Sequence, residues 1–153
     1  MLNASQIMTR EFLTVTPDMG VEDLARLLLK RNVSGAVVVD ALGRPLGVVT
    51  ESDLIAKEKN LHLPTVVSLF GAAVYLESSE HFKKELHRMV ATRVEDIHAR
   101  DLVSIRADTS LADIASIMTE KGIHYLPVME GDRVTGVVTR HEILERLAQT
   151  GNA

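Results

Sequence analysis

Two stretches carry residue types able to do chemistry at one fixed spacing: GVVTESD at 47–53 and GVVTRHE at 136–142. In each, a valine-rich run ends in Thr, and a carboxylate follows three residues later, at Asp53 and at Glu142. Where a strand opens into a helix, the first backbone N–H groups lack intrahelical partners and the helix dipole presents its positive end. That combination attracts an anion such as a phosphate. The hydroxyl of Thr50, Ser52 or Thr139 can donate to such a group. The carboxylate can accept from two vicinal hydroxyls, as a ribose presents. The competing reading is structural: Thr50 and Asp53 cap the helix, and duplication copies a cap as readily as a site. The motif alone leaves both readings open.

The elements that position these residues occur twice. Residues 14–55 recur as 104–144, at an offset of 90 from Val15 to Ile105 and of 89 from Gly47 to Gly136. Asp18/Asp108, Asp23/Asp113, Ala25/Ala115 and Val38/Val128 are identical, and most other differences exchange one apolar residue for another. A period this long marks two copies of one folded unit packed on each other. Such copies form a pseudo-twofold axis with equivalent clefts, so the site belongs where they meet.

Within each copy the hydrophobic period changes in a fixed order. LTVTP is a short strand ended by Pro17, and Val21, Leu24, Ala25, Leu27 and Leu28 follow at helical spacing, with Asp18 available as cap. VSGAVVVD reads as a strand buried on both faces. ALGRP supplies a turn, LGVVT pairs through it, and a helix opens at ESDLIAKEK with Asp53 in its first turn, capped by Thr50 or Ser52. The order is β-α-β-β-α, an α/β (α+β) sandwich with a small sheet and two helices per copy. The helix expected over 19–31 is apolar around more than half its circumference, whereas one sheet needs only about a 100° stripe. Its excess faces another helix, and a homodimer is the expectation. Residues 58–93 belong to neither copy: they read as a helical connector, or as a lid or partner surface over the cleft.

The 153 residues suffice for one domain that buries roughly 70% of its unfolded surface. A net charge of −4 with scattered Lys and Arg gives no basis for nucleic-acid binding. The absence of Cys excludes disulfides and thiolate metal sites and suits the cytoplasm. No signal-like N-terminus and no run of about 18 apolar residues is present, so no membrane partner is expected. Neither a nucleophile–base pair, a metal cluster nor a GxxxxGK[ST] phosphate loop appears, which argues against an enzyme with a catalytic cofactor.

The repeat, with SGAVVVD or HYLPVME on the middle strand and GVVT-x-x-[D/E] before the last helix, resembles a tandem cystathionine-β-synthase (CBS) domain pair. SQIMT at 5–9 and VEDIH at 94–98 match that family's leading segments. The resemblance implies one repeat at 1–57, a helical insertion at 58–93 and a second repeat at 94–153. It implies a regulatory module that binds AMP, ADP, ATP, S-adenosylmethionine or a cyclic dinucleotide between the copies. Carried over by position, the first cleft takes Thr50, Ser52 and Asp53, with its base against Val103, Ile123, His124 and Tyr125 and Ser34 near the phosphate. The mirror cleft takes Thr139, His141 and Glu142, with Leu13, Val33, Ser34 and Gly35 around the base and His124 near the phosphate. Glu142 departs from the family's Asp by one methylene. Arg140 and His141 compensate if the ligand is more highly phosphorylated. The Asp53 cleft therefore ranks first. His62, His81, His87 and His98 read as surface or connector, and His81 with Glu85 is too few ligands for a metal. The implied function is an adenine-nucleotide sensor that signals to an unknown partner protein. The alternatives are a dimerisation module with degenerate clefts, or a sensor of S-adenosylmethionine or cyclic di-AMP.

Overall fold

The structure is a computed structural model and describes residues 2–60, 92–99 and 101–150. Its elements are α1 (Ala4–Ile7), β1 (Thr14–Val15), α2 (Val21–Arg31), β2 (Gly35–Val39), β3 (Pro45–Thr50) and α3 (Glu51–Asn60), then α4 (Val94–Ile97), β4 (Ile105–Arg106), α5 (Leu111–Lys121), β5 (Tyr125–Glu130), β6 (Arg133–Thr139) and α6 (Arg140–Thr150). Each repeat is one three-stranded sheet, ordered β1-β2-β3 and β4-β5-β6. The outer pairs β1·β2 and β4·β5 run parallel, and the hairpins β2·β3 and β5·β6 run antiparallel. The β-α-β-β-α expectation holds in both copies. The connector helices expected within 58–93 fall almost wholly on residues 61–91, outside the described residues, as do His62, His81, Glu85 and His87.

Local chemistry explains the boundaries. α2 buries Val21, Leu24 and Leu28, the i, i+3, i+7 stripe that faces a sheet, and carries Glu22 and Asp23 in its first turn and Lys30 and Arg31 in its last. It ends where Asn32 turns left-handed at φ 54°; the matching residue of α5, Gly122, does so at φ 63°. The expected cap at Asp18 is not used. Gly20 is the N-cap, two residues later, and it has no side chain to offer. Asp18 instead accepts from Thr16 Oγ1 at 2.5 Å, which holds its carboxyl below the usual range. In the second copy Ser110 takes the role, accepting from the Asp113 N–H at 3.1 Å.

The two repeats exchange their leading segments. α1 precedes repeat one in sequence, yet Ala4 and Ile7 lie in the core of repeat two with Ile105, Ile114, Leu126 and Val138. α4 precedes repeat two, and Val94 lies in the core of repeat one with Val15, Leu24, Val38 and Val49. Hydrogen bonds fix the exchange: the Ala4 N–H donates to Thr109 O at 2.8 Å, and the Val94 N–H to Met19 O at 2.9 Å. Each segment then crosses the other repeat's last strand, through the bridges Thr9↔Val137 and Val48↔Ala99. The crossings need Gly47 and Gly136. A Cβ on Gly47 would collide with the Ala99 carbonyl, and one on Gly136 would lie 2.6 Å from Met8 Sδ and 2.9 Å from Thr9 O. Burying Val94 and Ile7 in this way contributes roughly 1.5–3 kcal/mol each. Between the sheets, Val37, Tyr125 and Val137 form a third buried cluster.

Candidate functional site

A cavity of about 690 Å³ opens where the repeats meet. That volume suits a small ligand of nucleoside size. Repeat two contributes Tyr125, Thr139, His141 and Glu142 to its wall, and repeat one contributes Leu13, Val33, Ser34 and Gly35. Seven of these are residues expected in the mirror cleft. Tyr125 was assigned to the other one and lies here instead, because its ring passes over Gly35, where a Cβ would stand 3.0 Å from Tyr125 Cδ2. Thr50, Ser52, Asp53, Val103, Ile123, His124 and Arg140 are not on this wall. Val103 and Ile123 pack against the second core, and His124 and Arg140 are exposed.

Glu11, Phe12, Asn32, Glu51 and Ile55 also line the wall, though none is among the expected site residues. Phe12 alone carried a signal, as one of three Phe in a chain whose core is aliphatic. Glu11 is an exposed charge in no pattern, and Glu51 is an exposed charge at a position that the GVVT-x-x-[D/E] motif leaves free.

The Thr–carboxylate pairs adopt the same geometry in both copies. Asp53 Oδ2 accepts from the Thr50 N–H at 2.8 Å and from Thr50 Oγ1 at 3.3 Å. Glu142 Oε2 accepts from the Thr139 N–H at 2.7 Å and from the Thr139 hydroxyl. Each carboxylate therefore caps its own helix with one oxygen, and the second oxygen has no partner among the described residues. Ser52 sits inside the first turn of α3, so Thr50 is the flanking residue. The extra methylene of Glu142 does not prevent the cap. His141 Nε2 lies 2.9 Å from Glu145 Oε1 on α6.

Tyr125 is the most deeply buried titratable side chain among the described residues of the wall. Desolvation, and after it the charge of Glu142, push its phenol well above the usual range. It therefore stays protonated and a donor, and its hydroxyl has no hydrogen-bond partner among the described residues. Among those residues no group of three or more His, Cys, Asp or Glu is arranged to hold a metal, and no helix is long and apolar enough to cross a membrane.

Comparison with known proteins agrees with this architecture. The CBS domain model matches residues 4–60 and 94–149. Protein MJ1426 of Methanocaldococcus jannaschii is 29% identical over 143 residues, covering 88% of this chain and 85% of that protein. MJ1404 of the same organism is 31% identical over 144 residues, covering 94% of this chain but 31% of that longer protein. The crystal structure of CBSX2 in complex with AMP superposes with a TM-score of 0.72 at 23% identity, covering 99% of each chain. The CBS domain pair of MJ0100, in complex with 5′-methylthioadenosine and S-adenosyl-L-methionine, superposes at 0.71 with 20% identity over 98% of each. At these identities the superpositions establish the fold. With one domain model matching both halves of the chain, this protein belongs to the CBS domain family, as a tandem pair.

Proposed function

We propose that this CBS pair is a regulatory module that binds an adenosyl ligand at the seam of its repeats and passes the resulting change of shape to a separate protein. One observation carries the reading: a cavity of nucleoside size is walled by both repeats, with a half-used carboxylate and an unpartnered phenol in it. The relatives support it, since CBSX2 was crystallised with AMP and MJ0100 with 5′-methylthioadenosine and S-adenosyl-L-methionine. On this reading Glu142 and Thr139 hold the ribose side, while Leu13, Val33 and Gly35 form the apolar face for the base. Thr50, Ser52 and Asp53, facing Val103, Ile123 and His124, serve the equivalent cleft. The residues bind and do not react. The chain divides into repeats at 1–57 and 94–153 around a helical connector at 58–93, and it works as a homodimer in the cytoplasm.

Calorimetry with AMP, ADP, ATP, S-adenosylmethionine and cyclic di-AMP tests the proposal. Heat of binding from at least one is expected, and none from any would end it. A second reading, a pairing scaffold with degenerate clefts, is favoured by the capping role of both carboxylates and by the exposure of Leu29 (82%) and Ile55 (71%). It requires a melting temperature indifferent to millimolar nucleotide, since a ligand of the native state must raise stability by mass action.

A further inference from the structure

The charge of the cavity separates one adenosyl ligand from another. Among the described residues its titratable wall residues are Glu11, Glu51, Glu142, His141 and Tyr125, with neither Lys nor Arg among them. Arg140, the nearest arginine in sequence, is exposed and off the wall. His141 is no free cation, because Glu145 Oε1 sits 2.9 Å from its Nε2. Three backbone donors that could have served an anion are also engaged. At the start of α6 the Thr139 N–H donates to Glu142 Oε2 at 2.7 Å, and the His141 N–H to Thr139 Oγ1 at 3.2 Å. At the start of α3 the Glu51 N–H donates to Ser34 O at 2.9 Å. Among the described residues, a phosphate entering here meets three carboxylates.

We infer that this cavity selects an adenosyl ligand with no net negative charge, a nucleoside or a sulfonium cation, over a nucleoside monophosphate and more strongly over a triphosphate. The inference rests on the adenosyl reading above. The wall's remaining polar capacity fits such a ligand: the second oxygen of Glu142 accepts from vicinal hydroxyls, and the Tyr125 phenol donates to a neutral acceptor. Each carboxylate–phosphate charge pair at about 8–10 Å in screened solvent weakens binding roughly 1.5- to 2-fold. Several pairs together place ATP about tenfold or more below adenosine.

The test is calorimetry on full-length Asp53→Ala protein, so that the Glu142 side alone reports, with adenosine, S-adenosylmethionine, AMP and magnesium-free ATP in low salt and in 0.5 M salt. Adenosine and S-adenosylmethionine are expected to bind at least about tenfold tighter than ATP in low salt, with AMP between, and the gap to shrink in high salt. In otherwise wild-type protein, Glu11→Gln with Glu51→Gln is expected to tighten ATP about threefold relative to adenosine. ATP binding as tightly as adenosine, or an ATP affinity indifferent to the two Gln substitutions, overturns the charge inference and leaves the adenosyl reading standing. Silence from all four ligands removes both.

Discussion

Replacing Gly47 or Gly136 by Ala attacks the device that locks the repeats together. A Cβ on Gly136 would sit 2.9 Å from the Thr9 carbonyl oxygen, and one on Gly47 would overlap the Ala99 carbonyl and lie 2.9 Å from His98 Nδ1. Neither obstacle is a pliant side chain tip. Thr9 exchanges two hydrogen bonds of 3.0 Å with Val137, and Ala99 donates one of 3.1 Å to Val48. Relief means lifting the crossing segment, at about 1 kcal/mol per lost bond and about 1–3 kcal/mol for the forced shift. Reduced freedom of the unfolded chain returns about 0.4–1 kcal/mol. Each variant is therefore expected to lose about 2–3 kcal/mol, or roughly 5–10 °C of melting temperature at this chain length. Far-UV circular dichroism through heat and urea unfolding measures it. Gly43→Ala and Gly131→Ala are the controls: with φ of +79° and +66° and nothing within 4 Å of a new Cβ, they carry backbone cost alone, about 1–2 kcal/mol. A Gly47→Ala or Gly136→Ala protein within about 0.5 kcal/mol of the parent would refute the crossing as drawn.

Gly20→Ser should stabilise the protein by about 0.5 kcal/mol in urea unfolding, because it gives α2 the side-chain cap that Ser110 already gives α5 and its Cβ meets nothing nearer than Asp23 Oδ2 at 3.7 Å. Glu142→Ala should cost about 1 kcal/mol of stability through the lost cap and weaken an adenosyl ligand by roughly 1–3 kcal/mol. Glu142→Gln, which can still accept from the Thr139 N–H, should keep more of the stability than of the affinity. Asp53→Ala should do the same to the equivalent cleft, and unchanged affinity there would mean the ribose is held elsewhere. Tyr125 sets an alkaline limit. Its phenol is raised in the folded protein, so its contribution is whole below the unfolded value of about 10 and is lost as the pH rises through the folded one. Unfolding free energy measured above pH 10 should fall less steeply in Tyr125→Phe than in the parent.

Periodicity revealed what repeats and hid what is exchanged. The strands, the hairpin turns and the helix at 21–31 follow from apolar spacing, because each buries its face against its own sheet. The leading segments do not follow, since SQIMT and VEDIH are alike and sequence likeness cannot say which copy each one covers. GVVT shows the same limit: its Gly47 and Gly136 align, yet the reason for glycine is the carbonyl of a segment from the other repeat. Asp18 matched the residue type of a cap but stands two residues too early, and Gly20, which a propensity argument passes over, occupies the position. At the site, the Thr–carboxylate spacing is a cap in both copies, and only the Glu142 side chain also lines the cavity, because sequence likeness does not carry over the different surroundings of the two pairs. Glu11 and Glu51, which join Glu142 on the cavity wall, reach it only through the crossing and through the first turn of α3.

The crossing also ties the cavity to the relation between the two sheets. The chain leaves its bridge to β6 at Thr9, lines the cavity with Glu11 and Phe12, and is fixed again where Leu13 O accepts from the Val37 N–H of β2 at 2.9 Å. One wall of the cavity is thus a short strap whose ends belong to different repeats. A ligand that presses on Phe12 loads both anchors, and it can shift the sheets only by the difference in its affinity for the two arrangements. The ends of the strap are amide groups that hydrogen exchange reads directly. Ligand should slow exchange at Val37 and Val137 more than at Ile114 of α5, which lies in the core of repeat two and donates to Ser110 O. Equal protection at all three would mean that binding stabilises the fold as a whole and leaves the seam where it was.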